Sequence, residues 1–410
     1  MLTNNSPPSP WLTAPQALAA LGVRPQTLYA NVSRGRIRAQ PDPQNPQRSL
    51  YHHEDVQRLA SRRAGRRTVA AVAAAAIGWG DPVLPSGLST VVDGRLWYRG
   101  QDAVQLAGTH TLEQVADLLW GTPGEALPHG SGRRPAPRAR AATAGTSART
   151  AARTPAPSSP LTAALAALAA RVERDPPSHR RARPVLVAEA AGLLENLACA
   201  MLGRAPARGL PLHQRMAVAW QAPGAEDLLR RALVLLADHE LNASTFAVRV
   251  AVSTGTPLSA GLLAGLATLA GPLHGGASVG ARALLDAARR DGAATSVRAW
   301  LAQGHALPAF GHPLYPAGDP RAAALFACFE PAAVYAEVAA EVAALIGEKP
   351  NIDFAVSALA DRFALPPQAP LAIFALARAV GWIAHAFEQI EADQLIRPRA
   401  RYTGPAPRRP

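Results

Sequence analysis

The segment PLAIFALARAVGWIAHAFEQI at residues 370–390 indicates the fold class of this chain. Its apolar residues recur with the period of a helix rather than with strand alternation. Segments of the same kind, PLTAALAALAARVER (160–174) and RALVLLADHE (231–240), recur between Gly and Pro residues. From residue 161 onward no strand alternation of any length competes with them, which disfavours a Rossmann or barrel enzyme. The body of the chain is therefore predicted to be all-α.

Length and composition bound the class of protein. With 410 residues and 49% hydrophobic content, the chain can form at least two domains, each with its own core. Cys199 and Cys328 are far apart, so neither a disulfide framework nor a cysteine metal site is indicated. The start MLTNNSPPSP has no signal-like pattern, and apolar stretches such as GLLAGLATLAGPL (261–273) fall short of the roughly 20 residues that span a bilayer. These features predict a cytoplasmic protein without membrane contact.

The net charge of +13 is unevenly distributed along the chain. Residues 1–67 carry +7, residues 122–160 carry +5 and residues 397–410 carry +5, so the remainder sums to −4. The basic character therefore belongs to the front of the chain, an internal stretch and the tail, while the large body is close to neutral.

The front segment WLTAPQALAALGVRPQTLYANVSRGRIRAQ (11–40) predicts two helices joined by a turn at Gly22, followed by a Pro-rich hairpin-like stretch. Its predicted inner face comprises apolar side chains only: Ala17, Leu21, Val23, Leu28 and Val32. With SLYHHEDVQRLASRR (49–63), the segment resembles the MerR/excisionase type of winged helix-turn-helix. One hypothesis is duplex DNA binding through four arginines, namely Arg34, Arg36, Arg38 and Arg48. The alternative is a packing or dimerisation module that does not bind DNA.

Three segments interrupt the helices of the body with polar residues that a core does not need. They are LADHELNASTF (236–246), GPLHGGAS (271–278), and ALPAFGHPLYPAGDPR (306–321) followed by KPNIDF (349–354). In this order they resemble the citrate synthase family, whose bacterial members carry DHE-N-ST, GPLHGGA, GFGH with DPR, and PN-V/I-DF. The resemblance covers most of residues 78–404, including DGRLWYRGQDAVQLA (93–107) and LIRPRARYTG (395–404).

The resemblance implies an acyltransferase that condenses acetyl-CoA or propionyl-CoA with oxaloacetate and then hydrolyses the thioester. Such chemistry needs a carboxylate base, a donor facing the developing enolate and an acid for the ketone. By their motif positions, Asp353 would remove the methyl proton, His274 would donate to the thioester oxygen, and His312 would polarise and protonate the ketone. No tightly bound cofactor and no metal is implied.

The resemblance also implies how an oxaloacetate dianion would be held. Arg321 and Arg378 match residues that bind the substrate carboxylates, for which the planar guanidinium is suited. His239 matches a further histidine that contacts the substrate. Arg397 matches an arginine contributed by the partner subunit, so a homodimer is expected.

The sequence departs from the family where cations for CoA phosphates are usual, because Pro313, Pro316 and Ala323 stand there. A second hypothesis is therefore a ligand-sensing DNA-binding regulator built on a synthase body.

The predicted organisation follows from the same resemblance. It comprises a helix-turn-helix module (1–67), a large helical domain (68–121, 161–275 and 365–404), a disordered insertion (122–160), a small domain (276–364) and a basic tail (405–410).

Overall fold

The computed structural model describes residues 11–21, 28, 31–32, 37–43, 45–57, 84–122, 159–203, 209–304, 306–400, 402 and 404–405. The chain forms two compact units, one of Met1–Pro85 with Arg399–Pro410 and one of Ser86–Pro398. The predictions for Arg34, Arg36 and almost the whole insertion fall outside the described residues.

The first unit contains a small antiparallel sheet and a helix. Its elements are β1 (Trp11–Thr13), α1 (Ala14–Leu21), β2 (Ala39–Asp42) and β3 (Asn45–His52), with strand order β1-β3-β2. The strands β2 and β3 form a hairpin where the Pro-rich hairpin was expected, and residues 53–57 are helical. The apolar core of this unit comprises Ala17, Leu21, Leu28, Ile37, Tyr51 and Val56. The predicted inner face is thus confirmed at Ala17, Leu21 and Leu28, Val32 is partly buried against it, and Val23 lies outside the described residues.

The second unit opens with three short antiparallel strands that the sequence analysis overlooked. They are β4 (Ser89–Val92), β5 (Arg95–Tyr98) and β6 (Gln101–Asp102). Asp93 and Gly94, between β4 and β5, have φ values of 51° and 70°. A two-residue hairpin turn of type I′ requires positive φ at both positions, for which Asp-Gly is a preferred pair. The sequence signal was therefore present, and the body is mainly rather than purely helical.

The other regular elements in the described part of this unit are helices, apart from an isolated β-bridge between Phe310 and Pro350. The helices are α2 (Ala103–Thr109), α3 (Leu112–Trp120), α4 (Pro160–Val172), α5 (Arg183–Leu202), α6 (Leu212–Ala219), α7 (Glu226–Leu236), α8 (Ala243–Ser253), α9 (Leu258–Leu269), α10 (Ala277–Asp291), α11 (Ala293–Ala302), α12 (Pro320–Phe326), α13 (Ala333–Ile346), α14 (Ile352–Arg362) and α15 (Ala369–Ala392). The Ser159 side chain accepts a hydrogen bond from Thr162 N and caps α4. The helix therefore begins at the last residue of the predicted insertion.

The helix α15 forms the centre of the larger apolar core. Seventeen of its 24 residues are buried, which is typical of a helix enclosed on all sides. By length and apolarity alone, α5 and α15 could cross a membrane, so the expectation that no apolar segment reaches that length is wrong. Because 83% of the apolar window of α15 is buried inside the protein, compared with 44% for α5, the apolarity of α15 is explained by packing.

A second apolar cluster is formed mainly by α10, α11 and α13. The helix α14 contributes to both clusters, with Ile352 and Leu359 in the first and Phe354 and Ala358 in the second. This second cluster lies within the predicted small domain. The division into two separate domains remains a prediction, because residues 86–398 form one compact unit.

One close backbone approach brings two site segments together. Gly381 N in α15 donates to Ala237 O, just after α7, at 3.1 Å. A Cβ atom at position 381 would lie 2.5 Å from Ala237 O, so only glycine fits here. The contact places the turn that carries His239 against the helix that carries Arg378.

Candidate active site

Two predicted histidines meet at a tyrosine that the sequence analysis did not single out. His239 lies in the turn after α7, while His312 and Tyr315 lie in the loop before α12. His239 Nε2 and Tyr315 Oη are 2.8 Å apart, and the rings of His239 and His312 meet edge to face with centroids 5.0 Å apart. These two contacts join segments more than 70 residues apart in sequence, so the tertiary fold assembles this cluster.

The carboxylate of Asp319 connects Arg321 to the turn that carries Asp353. Asp319 caps α12 by accepting from Arg321 N, and it also accepts from Arg321 Nε at 3.0 Å and Nη2 at 2.8 Å. Its Oδ2 accepts a further bond from Ile352 N at 3.0 Å. Because Ile352 directly precedes Asp353, this buried ion pair positions the predicted base as well as the guanidinium. The Arg321 guanidinium also lies 5.2 Å from the Tyr315 ring centroid.

His274 lies in the turn between α9 and α10 and contacts Ser244. The distance from His274 Nε2 to Ser244 Oγ is 2.9 Å, and Ser244 Oγ also accepts from Trp382 Nε1 at 3.2 Å. The single hydroxyl proton of Ser244 can go either to Asn242 Oδ1, at 2.8 Å, or to His274 Nε2. In the second arrangement the neutral His274 carries its proton on Nδ1, where it can donate to a ligand.

The glycines after His274 allow a tight backbone turn. A Cβ at Gly275 would lie 2.1 Å from Leu269 O, and one at Gly276 would lie 2.4 Å from Pro272 O. Side chains are therefore excluded by the protein's own backbone. The helix α10 begins directly after this turn, so its N-terminus lies near His274.

Arg378 is a buried guanidinium without a partner carboxylate. It is 2% exposed, its Nε donates to Leu236 O at 2.9 Å, and the Phe374 ring centroid lies 4.8 Å from it. Among the described residues, no carboxylate lies within ion-pair distance of it. Burial lowers the pKa of Arg378, although the carboxylates of Asp238 and Asp353 oppose that shift, so its charge is only partly compensated. An anionic ligand would supply the missing counter-charge.

The imidazoles at the site are held neutral. Burial, reinforced by the charge of Arg378, lowers the pKa of His274 to about 4. Burial and the charge of Arg321 lower the pKa of His312 to about 4, and the same two causes lower the pKa of His239 well below its usual value. Neutral imidazoles can each donate one hydrogen bond and accept another, which suits them to polarise carbonyl groups.

The carboxyl of Asp353 has the opposite shift. Burial raises its pKa to about 6, although the nearby charges of Arg321 and Arg378 oppose that rise. A carboxylate with a raised pKa is a stronger base than an ordinary aspartate and is still ionised at neutral pH. Asp353 is thus suited to remove a proton.

These pKa shifts predict the pH dependence of any reaction that uses Asp353 as a base. We expect kcat/KM to rise with pH through a midpoint near 6, because the ionised carboxylate is the active form. His274 and His312 should add no second transition between pH 5 and 8, since both stay neutral there. Initial rates measured from pH 5 to 8 check this, and a flat profile across pH 6 would contradict it.

Six of the seven predicted site residues are thus linked by these contacts and charges; the exception is Arg397. Arg397 is exposed in the segment after α15, and no hydrogen bond or ion pair among the described residues links it to the other six. Its predicted role is in a partner subunit, so the single chain does not test it.

In the first unit, two of the four predicted DNA-contacting arginines are described. The Arg38 guanidinium is engaged by Asp55, with Nε 2.7 Å from Oδ2, although its side chain is still 59% exposed. This ion pair limits the capacity of Arg38 to contact a phosphate. Arg48 is exposed on β3. DNA contact by either residue stays a prediction.

Three residues essential to this geometry were missed by sequence reasoning: Ser244, Tyr315 and Asp319. Each lies inside a quoted motif, so motif membership was the available signal. His385 is fully buried, with Nε2 3.2 Å from Asp238 Oδ2. Within the described residues, no group of three or more His, Cys, Asp or Glu side chains could hold a metal ion.

A helical body that gathers a basic carboxylate, neutral imidazoles and a buried arginine without an ion-pair partner among the described residues is suited to bind an anion and to remove a proton nearby. Comparisons with known proteins agree. A family model described as citrate synthase, C-terminal domain, matches residues 78–399. The chain belongs to the citrate synthase family.

Individual relatives give the extent of the similarity. The chain is 34% identical over 233 residues to a citrate synthase 2 from Bacillus subtilis, covering 54% of this chain and 59% of that protein. It is 42% identical over 185 residues to a citrate synthase from Haloferax volcanii, covering 42% of this chain and 49% of that protein. These alignments span about half to three-fifths of the curated relatives.

The fold is similar to that of a solved citrate synthase from Thermoplasma acidophilum. That structure is a ternary complex with carboxymethyl coenzyme A and oxaloacetate. The similarity has a TM-score of 0.60 at 23% identity and covers 80% of this chain and 95% of that one. At this identity it shows a common fold.

Proposed function

We propose that this protein is a citrate-synthase-type acyltransferase. It condenses acetyl-CoA, or propionyl-CoA, with oxaloacetate and hydrolyses the resulting thioester to citrate, or 2-methylcitrate, and CoA. The observation that carries the proposal is a buried guanidinium, Arg378, that has no ion-pair partner among the described residues and lies in the same site as the carboxyl of Asp353, whose pKa burial raises to about 6. The family assignment supports the same conclusion.

In the proposed reaction, each proton has a donor and an acceptor. Asp353 takes a proton from the methyl group of the acyl thioester, and His274 donates a hydrogen bond to the thioester oxygen on which negative charge develops. The resulting carbon nucleophile attacks the keto carbon of oxaloacetate, whose oxygen receives a proton from His312. Water then gives one proton to His312, and the resulting hydroxide attacks the thioester carbonyl. The C–S bond breaks and the CoA thiolate leaves with the proton held by Asp353, so both residues return to their starting states.

The substrate carboxylates would be bound by Arg378 and by the side of the Arg321 guanidinium that Asp319 leaves open. Asp319 engages Nε and Nη2 of Arg321, so Nη1 can still donate. Arg378 has both terminal nitrogens without a described hydrogen bond, which makes it the stronger candidate for bidentate binding.

The direct test is release of free thiol by the purified protein. Incubation with oxaloacetate and acetyl-CoA or propionyl-CoA should release CoA thiol in proportion to product, with the ratio of kcat/KM values showing the preferred donor. No thiol release from either donor would refute the proposal. None of the matches reported above favours the alternative of a ligand-sensing regulator.

We further propose a homodimer in which Arg397 completes the partner's site. Support comes from the position of Arg397, which is exposed in the segment after α15 and makes no ion pair among the described residues. Arg397→Gln should raise the KM for oxaloacetate by about tenfold, corresponding to one charge-assisted contact, without changing the oligomeric state. Light scattering and kinetics together check this. A fully active monomer would exclude it.

The front unit is a separate proposal, namely a winged helix-turn-helix module that contacts DNA. Its three-stranded sheet, its helix α1 and the exposed Arg48 support this layout. Band-shift assays with the protein's own promoter should show salt-sensitive binding that weakens in Arg48→Gln. Absence of such binding would leave a packing role.

We also propose a cytoplasmic location, supported by the two free cysteines, which imaging of a tagged protein would test.

A further inference from the structure

Lys349 is the only lysine in a chain that otherwise uses arginine for its basic residues. It precedes Asp353 by four residues and lies against the loop that carries His312 and Tyr315. Its Nζ donates to Ala317 O at 2.9 Å, and its backbone carbonyl accepts from Gly311 N at 2.9 Å. The residue therefore touches both ends of this loop.

The side chain of Lys349 is seated on the loop while its charge stays accessible. A Cβ at Gly318, where φ is +116°, would lie 2.9 Å from Lys349 Cδ, so the glycine makes room for the lysine's carbon chain. The residue is exposed, and within the described part of the chain its ammonium has one hydrogen bond and no ion pair. Two N–H donors are therefore free for a ligand.

The loop that Lys349 contacts, residues 311–319, has no accessible positively charged side chain of its own. Positions 313, 316 and 323 are Pro, Pro and Ala, and Arg321 is 3% exposed and paired with Asp319. The neighbouring Glu348 opposes an anion, because its carboxylate lies 3.1 Å from the position that a Cβ of Gly311 would occupy. Lys349 is thus the cation that this face of the loop offers.

We propose that Lys349 binds the phosphate groups of the acyl-CoA. The inference rests on the proposed function and names how that site would hold its thioester substrate. Because Pro313, Pro316 and Ala323 stand where cations for CoA phosphates are usual, the phosphates would need another cation at this loop, and the Lys349 ammonium lies on it at Ala317 O. An ammonium on a flexible stem with free donors is suited to such a phosphate.

The alternative is that Lys349 only fastens the loop through Ala317 O. A fastening role would affect every acyl donor alike, whereas phosphate binding affects only donors with phosphates. Acetyl-CoA, acetyl-dephospho-CoA and S-acetyl pantetheine therefore separate the two roles, and the second donor shows whether the 3′-phosphate or the diphosphate is bound.

The decisive variants are Lys349→Gln and Lys349→Arg, with Arg362→Gln as a control. Arg362 is an exposed cation at the far end of α14 and makes the same change in net charge. Lys349→Gln should raise the KM for acetyl-CoA about tenfold, with kcat within about twofold and the KM for S-acetyl pantetheine unchanged. Lys349→Arg should restore most of the affinity, and Arg362→Gln should resemble the unmodified protein.

Calorimetric titration with CoA distinguishes failure of this inference from failure of the proposed function. CoA binding that weakens in Lys349→Gln, in a protein without turnover, would uphold the lysine's role and refute the synthase. Turnover with the same KM for acetyl-CoA in Lys349→Gln would overturn the inference alone. Equal KM increases for acetyl-CoA and S-acetyl pantetheine would assign Lys349 to loop fastening and also overturn it.

Discussion

Replacing Asp353 with asparagine should lower kcat for condensation by about 10³-fold while the fold is retained. The amide cannot accept the methyl proton, and a positioned general base typically contributes about 10²–10⁴-fold. No other described carboxylate combines a raised pKa with proximity to Arg321 and Arg378. Thiol release and a thermal melt of the same preparation check both parts.

Stability should change in the opposite direction to activity. The pKa of Asp353 is raised in the folded protein, so the stability that its carboxyl contributes is full at low pH and is lost as the pH rises through about 6. At pH 7 the asparagine variant should therefore be at least as stable as the unmodified protein. Asp361→Asn, on the same helix but in a surface ion pair with Arg289, should keep its activity. A retained kcat in Asp353→Asn would mean that another group is the base.

The residues of the site could be named from the sequence, but their mutual arrangement could not. His239, His274, His312 and Asp353 are prominent because they interrupt apolar helices at spacings found together in one family. Tyr315 and Asp319 were overlooked because their importance depends on contacts with His239 and Ile352, which are distant in sequence. Pairwise contacts of this kind have no local periodicity by which they could be recognised.

The helices could be predicted where the spacing of apolar residues reflects which side chains are buried. The apolar segment 370–390 was correctly assigned to a helix, and 17 of the 24 residues of α15 are buried. Strands β4 to β6 were missed because strands of two to four residues provide too little alternation, although Asp93-Gly94 marked the turn. The reason why Gly381 is required emerges only from its contact with Ala237.

The second large effect is expected at Arg378, where a substitution should weaken substrate binding while changing the free energy of unfolding little. Arg378→Met removes a buried charge without an ion-pair partner among the described carboxylates. We expect the KM for oxaloacetate to rise at least about 100-fold, because the carboxylate of the substrate would lose its buried partner. The free energy of unfolding should fall little or increase, since only the hydrogen bond to Leu236 O, worth about 1 kcal/mol, is lost.

Arg249 is a matched control for this prediction. It is equally buried at 2% exposure, but its Nη1 lies 2.7 Å from Glu388 Oε2 and its Nε donates to Gln389 Oε1 at 2.9 Å. Arg249→Met removes the arginine partner of Glu388 and should lower the free energy of unfolding by about 3 kcal/mol. Denaturant unfolding and oxaloacetate kinetics on both variants distinguish an arginine that stabilises the fold from one that binds a ligand. If Arg378→Met lost as much stability as Arg249→Met, its charge would be compensated within the chain, and the main argument for an anionic substrate would fail.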